Sequence, residues 1–156
     1  MSAAEKSRVN SFVLLRAGDR RFALPASVVA ELAPPLQLHT FPHTSPLVAG
    51  VIVRRGRILP VYDAVPALAG GNISAQRFFL IARCEFGAAS ELSAIPVDGE
   101  GELATGEIEP PPAGLPKYVV GTLAIGGESI EVLDLGALIA LQSAGPQEHG
   151  PREAQR

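Results

Sequence analysis

The chain lacks most of the residues from which disulfides, metal clusters and membrane spans are built. Cys84 is the only cysteine among 156 residues, which excludes an intrachain disulfide and a cysteine-rich metal site. No apolar run approaches the roughly 18–20 residues of a membrane span, and the run Phe12–Leu15 is too short for a signal peptide. The net charge of −3 gives no basic field for nucleic acid or an anionic membrane. These absences predict a cytosolic protein that neither binds nucleic acid nor inserts into a membrane.

Tryptophan is absent and aromatic residues make up only 5% of the chain, so its core must consist mainly of Val, Ile, Leu and Ala. Apolar residues are nevertheless 47% of the sequence, which is enough for one compact domain or two small subdomains. The 16 glycines and 14 prolines stand between short apolar runs rather than in one block. This spacing is typical of many short strands joined by turns.

The chain is organised around a hairpin within residues 48–68. Two β-type runs, Gly50–Val53 and Ile58–Tyr62, flank the tip Arg54-Arg55-Gly56-Arg57. The same design returns 71 residues later without a gap, so that Gly50 falls on Gly121 and Asp63 on Asp134. The sequence therefore suggests one unit built twice, although any two glycine-turn hairpins share some of these features.

An earlier hairpin strengthens the duplication. The runs 12–15 and 21–25 have counterparts at 78–83 and 92–97, with an offset of 67 residues before the turn and 71 after it. We call residues 12–63 the first copy and residues 78–134 the second copy. Each copy supplies about five short strands, enough to close a small barrel. Asp134 is placed to cap a closing helix at 135–141.

The sequence contains no strong catalytic or metal-binding motif. His39 and His43 lie four residues apart, but Pro42 and Pro46 exclude the helix that would align them, so surface loop histidines are favoured. Cys84 has no evident base and is expected to be a small buried thiol. We therefore expect no catalytic residue, no metal and no cofactor. A small β-barrel enzyme that uses Cys84 or the two histidines is the alternative from another functional class.

The hairpin tip carries the densest positive charge of the chain. Arg54, Arg55 and Arg57 surround Gly56 in a protein that is acidic as a whole. Arginine is well suited to gripping a carboxylate or backbone carbonyls of a partner. The same pattern also occurs where three arginines are simply solvated on a turn, and the residues alone do not decide between the two.

At this hairpin the sequence resembles a known family. The string G-V-I-V-R-R-G-R-I-L-P-V-Y-D at 50–63 is similar to the G-V-x-x-x-R-G-x-I-x-P-V-x-D signature of CheW-type domains, the coupling proteins of bacterial chemosensory arrays. Similar elements follow the family order at 28–32, 95–99 and 118–141. The resemblance covers roughly residues 11–141.

The resemblance implies an all-β fold of two pseudo-symmetric five-stranded SH3-like barrels, packed through a hydrophobic seam, with a short C-terminal helix. One barrel is expected at about 19–76 and the other at 12–18 plus 77–141, within a single domain at 12–141. Residues 1–11 are expected to form a flexible arm. The polar, Pro- and Gly-rich residues 142–156 are expected to be a disordered tail.

The resemblance also implies a non-enzymatic adaptor in a chemotaxis or pilus-motility system. Its partners would be the cytoplasmic tip of a methyl-accepting chemoreceptor and the regulatory domain of a CheA-type histidine kinase, with other CheW-like domains as further candidates. The expected receptor or kinase interface consists of Arg55, Gly56, Gly50, Arg54, Arg57, Glu31, Val97 and Asp98.

Several positions depart from the family pattern. Arg54 stands where an apolar residue is usual, Ala64 replaces a common leucine, and Glu100-Gly101 follow the element at 95–99 where an apolar residue is usual. These changes put charge and flexibility close to the expected receptor interface. The alternative function is therefore a CheW-like scaffold or regulator that binds only the kinase or another CheW-like domain, without the receptor.

Overall fold

The computed structural model describes residues 9–40, 42, 48–62, 78–86, 88–98 and 101–147. Ten strands and one α-helix lie within these ranges. They are β1 (Val9–Ala17), β2 (Arg20–Pro25), β3 (Val29–Ala33), β4 (Val48–Arg54), β5 (Arg57–Tyr62), β6 (Phe78–Phe86), β7 (Ala89–Val97), β8 (Glu102–Glu107), β9 (Val119–Ile125), β10 (Glu128–Leu133) and α1 (Leu135–Gln147). A 3-10 turn, Ala26–Val28, connects β2 to β3.

The strands form two five-stranded sheets, in the orders β8-β1-β2-β10-β9 and β3-β6-β7-β5-β4. The two orders become identical when each strand is replaced by its counterpart in the other copy. Each sheet takes its first hairpin from one copy and its other three strands from the other copy. The predicted all-β fold of two pseudo-symmetric five-stranded barrels is thus confirmed, and the copies are interlocked because they have exchanged hairpins.

The strand register follows the duplication residue by residue. Ala23 lies opposite Val132 in the parallel β2–β10 pair, and their counterparts Ala94 and Val61 lie opposite each other in the parallel β7–β5 pair. The antiparallel pairs agree as well, since the Phe12–Ala104 pairing of β1 and β8 matches the Phe79–Ala33 pairing of β6 and β3. Two chance hairpins would not share register in several ladders, so the duplication is confirmed.

Alternating side chains divide the core into three parts. Along β1, Phe12 and Leu14 pack inside one barrel, whereas Leu15 and Ala17 pack in the seam between the sheets. The barrel interiors are built from equivalent residues: Phe12, Leu14, Ala23, Leu123, Ile130 and Val132 in one; Phe79, Ile81, Ala94, Ile52, Leu59 and Val61 in the other. The seam is the larger cluster, and α1 closes it through Leu135, Leu138 and Ile139.

The sheets divide the chain differently from the predicted subdomain boundaries. β2 belongs with β1 and β8–β10, and β6 and β7 belong with β3–β5, so the division into 19–76 and 12–18 plus 77–141 does not match the sheets. The reason is that both parallel pairings join strands of different copies. A sequence repeat looks the same whether or not its halves exchange a hairpin.

Both ends of the predicted domain also differ. β1 begins at Val9, inside the expected arm 1–11, because Val9–Ser11 pair with Thr105–Glu107 through backbone groups that need no apolar side chain. α1 continues to Gln147, inside the expected tail 142–156, and Gln142 and Ala144 have good helix propensity.

The predicted Asp134 cap is confirmed, since its Oδ1 accepts a hydrogen bond of 3.1 Å from the Ala137 N–H. In the described part of the chain, no helix has the length and apolarity that crossing a bilayer requires.

Candidate functional site

The arginine-bearing tip joins β4 to β5 through a two-residue turn. Arg54 lies opposite Arg57, and the residues between them, Arg55 and Gly56, have φ angles of 53° and 77°. Positive φ at both central positions defines a type I′ turn, which prefers Asn or Gly at the first of them. The second copy has Gly126 and Gly127 at these positions, with φ angles of 56° and 85°.

Arg55 is the only non-glycine residue with a positive φ in the described part of the chain. A left-handed conformation costs an L-residue with a bulky side chain about 1–2 kcal/mol. The second copy shows that glycine satisfies the same turn. Such strain is often found at functional positions, because selection for binding can retain a residue that folding disfavours.

The tip is tied to β3 through a carboxylate shared by two arginines. Glu31 accepts hydrogen bonds of 3.1 Å from Arg54 Nε and 3.0 Å from Arg54 Nη2. Arg55 Nε and Nη2 approach the same carboxylate at 3.4 Å. The structure therefore brings together three of the predicted interface residues, and Arg54, which departs from the family pattern, makes the shorter hydrogen bonds.

The ion pair between Glu31 and Arg54 shifts the pKa of both groups. Hydrogen bonds from Arg54 and then Arg55 lower the pKa of Glu31 from 4.5 to about 2. The Glu31 hydrogen bonds in turn raise the pKa of Arg54. Glu31 and Arg54 are therefore both ionised at neutral pH.

The two arginines differ in exposure. The side chains of Arg54 and Glu31 are 24% and 25% exposed, whereas that of Arg55 is 72% exposed. Arg57 is exposed as well. The tip therefore combines a half-buried ion pair with two solvent-exposed arginines, Arg55 and Arg57.

An exposed apolar pair lies directly beside this tip. Val53 and Ile58 face each other across β4 and β5, and they are 51% and 71% exposed. Sequence reasoning missed them because it described both strands only as β-type runs and assigned no face to each residue. The alternation was the available signal: Ile52 and Leu59 fill the barrel, so the adjacent Val53 and Ile58 must face outward.

The predicted site residue Gly50 has a packing role at the start of the same hairpin. A Cβ at Gly50 would collide with the carbonyl oxygen of His39, which exchanges two backbone hydrogen bonds of 2.9 Å with Val51. Gly121 has the equivalent constraint, because its Cβ would lie 2.7 Å from Glu109 O. His39 thus forms an isolated antiparallel β-bridge with β4, and His43 lies outside the described residues.

Val97 and Asp98 lie in the seam rather than in the arginine cluster. Val97 is fully buried there, and Asp98 is 8% exposed. The Asp98 N–H donates to Arg16 O at 2.9 Å, and Asp98 Oδ2 accepts from the Gly18 N–H at 2.6 Å. Both hydrogen bonds join the end of β7 to β1 and the turn after it, so Asp98 links the two sheets.

Cys84 has the features of a structural thiol. It is 1% exposed, and burial raises its pKa to about 11. The nearby Tyr62 hydroxyl donates to Glu91 at 3.2 Å, and burial raises the pKa of Tyr62 to about 12. Among the described residues, no cluster of His, Cys, Asp or Glu is arranged to hold a metal ion.

A cleft of about 290 Å³ opens where α1 begins, beside the seam. It is lined by Pro25, Val28, Arg83, Glu85, Val120, Leu133, Asp134, Leu135 and Gly136. None of the predicted interface residues lines it, so the arginine tip and this cleft are separate features.

The sequence and structure comparisons with known proteins agree on one family. A sequence model of the CheW-like domain matches residues 11–143. The fold is similar to the crystal structure of the scaffolding protein TtCheW from Thermoanaerobacter tengcongensis, with a TM-score of 0.69 and 22% identity over 83% of this chain and 91% of that one. No curated protein sequence matches the chain. The family match spans both barrels and the closing helix as far as residue 143, and the chain belongs to the CheW-like domain family.

Proposed function

We propose that this protein is a non-enzymatic, cytoplasmic adaptor that couples the cytoplasmic tip of a chemoreceptor to the regulatory domain of a CheA-type histidine kinase. The observation that carries the proposal is Arg55, a strained and exposed arginine at the family's Arg-Gly position. Folding does not need an arginine there, since the second copy makes the same turn with glycine.

Two kinds of surface support the role of an adaptor. The exposed cations Arg55 and Arg57 provide charge complementarity for one partner, and the exposed pair Val53–Ile58 provides apolar area for protein binding. The seam and both barrel interiors are filled, so the molecule is a rigid platform rather than a container for a small substrate. Individually modest interactions would be strengthened by the multivalency of an array.

A second candidate function is a scaffold that binds the kinase or another CheW-like domain without the receptor. The observation in its favour is the Arg54–Glu31 pair, which places a half-buried ion pair where the family usually has an apolar residue. Glu100, which also favoured the scaffold, lies outside the described residues. An enzyme that uses Cys84 is disfavoured because a reactive thiol must be accessible and readily ionised.

Titration calorimetry separates the candidates. The protein is titrated with the regulatory domain of a CheA-type kinase and, separately, with a receptor-tip hairpin from the same organism. Arg55→Glu tests the tip, and Lys117→Glu, the same charge reversal at another exposed position, is the matched control. We expect the wild type to bind both partners and Arg55→Glu to lose only receptor binding. Kinase binding alone would favour the scaffold, and binding of neither partner would refute the coupling function.

A further inference from the structure

The tip holds more positive charge than its internal ion pairs neutralise. One carboxylate, Glu31, accepts hydrogen bonds from two guanidinium groups, and exposed Arg57 stands across the turn. These four ionised side chains carry a net charge of about +2 at neutral pH. The corresponding positions of the second copy are Glu102, Ile125, Gly126 and Glu128, which carry no cation. The hairpin therefore forms equally well without this charge.

The two arginines bind Glu31 to different extents. Arg54 binds Glu31 with Nε and Nη2 together, the side-on geometry that makes arginine–carboxylate pairs strong, and only 24% of its side chain is exposed. Arg55 approaches the same group at 3.4 Å with both of its nitrogens, and 72% of its side chain is in solvent. A guanidinium has five N–H donors, so Arg55 keeps most of its donors available.

We propose that Arg54 is the intramolecular partner of Glu31 in this chain, and that this leaves Arg55, with Arg57 beside it, to bind an acidic side chain on the receptor tip. Arg54 is thus a positioning residue: it neutralises the carboxylate that would otherwise hold Arg55. The partner selected is one that carries an Asp or Glu where it meets this turn. The inference rests on the proposed function and adds the chemistry of the receptor interface.

The first test needs no partner. The pKa of the Glu31 carboxyl is measured by NMR titration in the wild type, in Arg54→Gln and in Arg55→Gln. We expect Arg55→Gln to leave the pKa well below 4.5, because Arg54 still binds the carboxylate through Nε and Nη2. In Arg54→Gln we expect the pKa to stay below 4.5 as well, because Arg55 then pairs with Glu31. A rise to about 4.5 in Arg55→Gln would overturn the assignment of Arg54 as the partner of Glu31.

The second test measures affinity for a receptor-tip hairpin by calorimetry. Arg54→Gln should weaken binding about tenfold, because Glu31 then pairs with Arg55 alone and holds it more tightly. Adding Glu31→Gln to that variant should restore affinity to within about twofold, since no carboxylate remains to hold Arg55. Arg55→Gln should weaken binding too, but Glu31→Gln should not rescue it. Unchanged affinity in Arg54→Gln, or failure of the rescue in a folded double variant, would overturn the inference.

The partner's acidic group is then located with amide variants of the hairpin, in which each exposed Asp or Glu is replaced one at a time. A double-mutant cycle should find one carboxylate coupled about tenfold to Arg55 and uncoupled from the control Lys117→Gln. If no carboxylate couples while the hairpin still binds, the charge inference fails and the adaptor function stands. If the hairpin does not bind at all, receptor coupling fails together with the inference.

Discussion

Glu31 accepts its two shorter hydrogen bonds, at 3.1 and 3.0 Å, from Arg54 rather than from Arg55, the arginine of the family's Arg-Gly pair. Arg54 is the last residue of β4, whereas Arg55 lies in the turn that follows it. Both reach Glu31, but the Arg54 side chain is 24% exposed and that of Arg55 is 72% exposed. Under the proposed function, Arg54 has a structural role and Arg55 a binding role.

Removing Glu31 should cost stability in a pH-dependent way. Its folded-state pKa of about 2 lies below the ordinary value of 4.5, so its contribution is complete above about pH 4.5 and is lost as the pH falls towards 2. The pair is partly exposed, which limits the contribution to about 1 kcal/mol. Urea unfolding of the wild type and Glu31→Gln should differ by this amount at pH 7, and the difference should shrink steadily as the pH falls from about 4.5 through 2. A constant difference across that range would contradict the electrostatic origin.

Arg55→Asn should stabilise the fold while weakening receptor binding. Asn-Gly is a preferred type I′ sequence, so the change relieves a strained φ and gains about 0.5–1 kcal/mol. The hydrogen bonds between Arg55 and Glu31, which this variant lacks, are long and exposed and add little to stability. Thermal unfolding and hairpin titration measure the two effects on one variant. Lower stability would show that Arg55 has a structural role, and unchanged affinity would show that it does not bind the receptor.

Two glycines beside isolated β-bridges should both be costly to replace. Gly50→Ala and Gly121→Ala each force a Cβ against the backbone carbonyl of a bridged residue, and each should destabilise by about 2–3 kcal/mol. The loss should be larger for Gly50→Ala, because the Gly50 φ of 155° is one that alanine rarely adopts. Gly106→Ala is the control, because its Cβ would lie 3.6 Å from Leu123 Cδ2, an ordinary van der Waals distance. Chemical denaturation gives all three values. A large loss for Gly106→Ala, or none for the other two, would refute the steric account.

The exchanged hairpins should make the barrels unfold together. Leu80 is fully buried in the seam, so Leu80→Ala should cost about 2–5 kcal/mol and keep a single transition. Leu103, which is 79% exposed on β8, is the control, and Leu103→Ala should change stability by less than about 0.5 kcal/mol. Far-ultraviolet circular dichroism follows both. Two resolved transitions in Leu80→Ala would mean that the barrels fold independently.

Cys84 should be inert in the native protein. With a pKa of about 11 rather than 9.0, its thiolate population at pH 8 is ~100-fold below that of an ordinary thiol, before burial is considered. A colorimetric disulfide reagent should therefore react slowly with the native protein and fast in urea. Fast reaction of the native protein with the reagent would indicate that the Cys84 thiol is accessible and has a chemical role.

The barrel architecture could be predicted from the sequence because its signals are local. Glycine-marked hairpins, the offsets of 67 and 71 residues and the Asp134 cap are each contained in a few neighbouring residues. The hairpin exchange is not local: whether β2 pairs with β10 or with β5 depends on the packing of the seam, which leaves the repeat unchanged. The detailed contacts of the arginine site could not be predicted from the sequence either. Arg54 and Arg55 are adjacent in the sequence, and only the hydrogen-bond distances and side-chain exposures show that Glu31 binds Arg54 more closely than Arg55.

The proposed coupling function requires this chain to bind two partners at once. Calorimetry tests this when the protein, already saturated with the kinase regulatory domain, is titrated with the receptor-tip hairpin. We expect the hairpin to bind the preformed complex with an affinity close to that for the free protein, and Arg55→Glu to abolish this second binding. Failure of the hairpin to bind the complex, or displacement of the kinase domain by the hairpin, would contradict coupling.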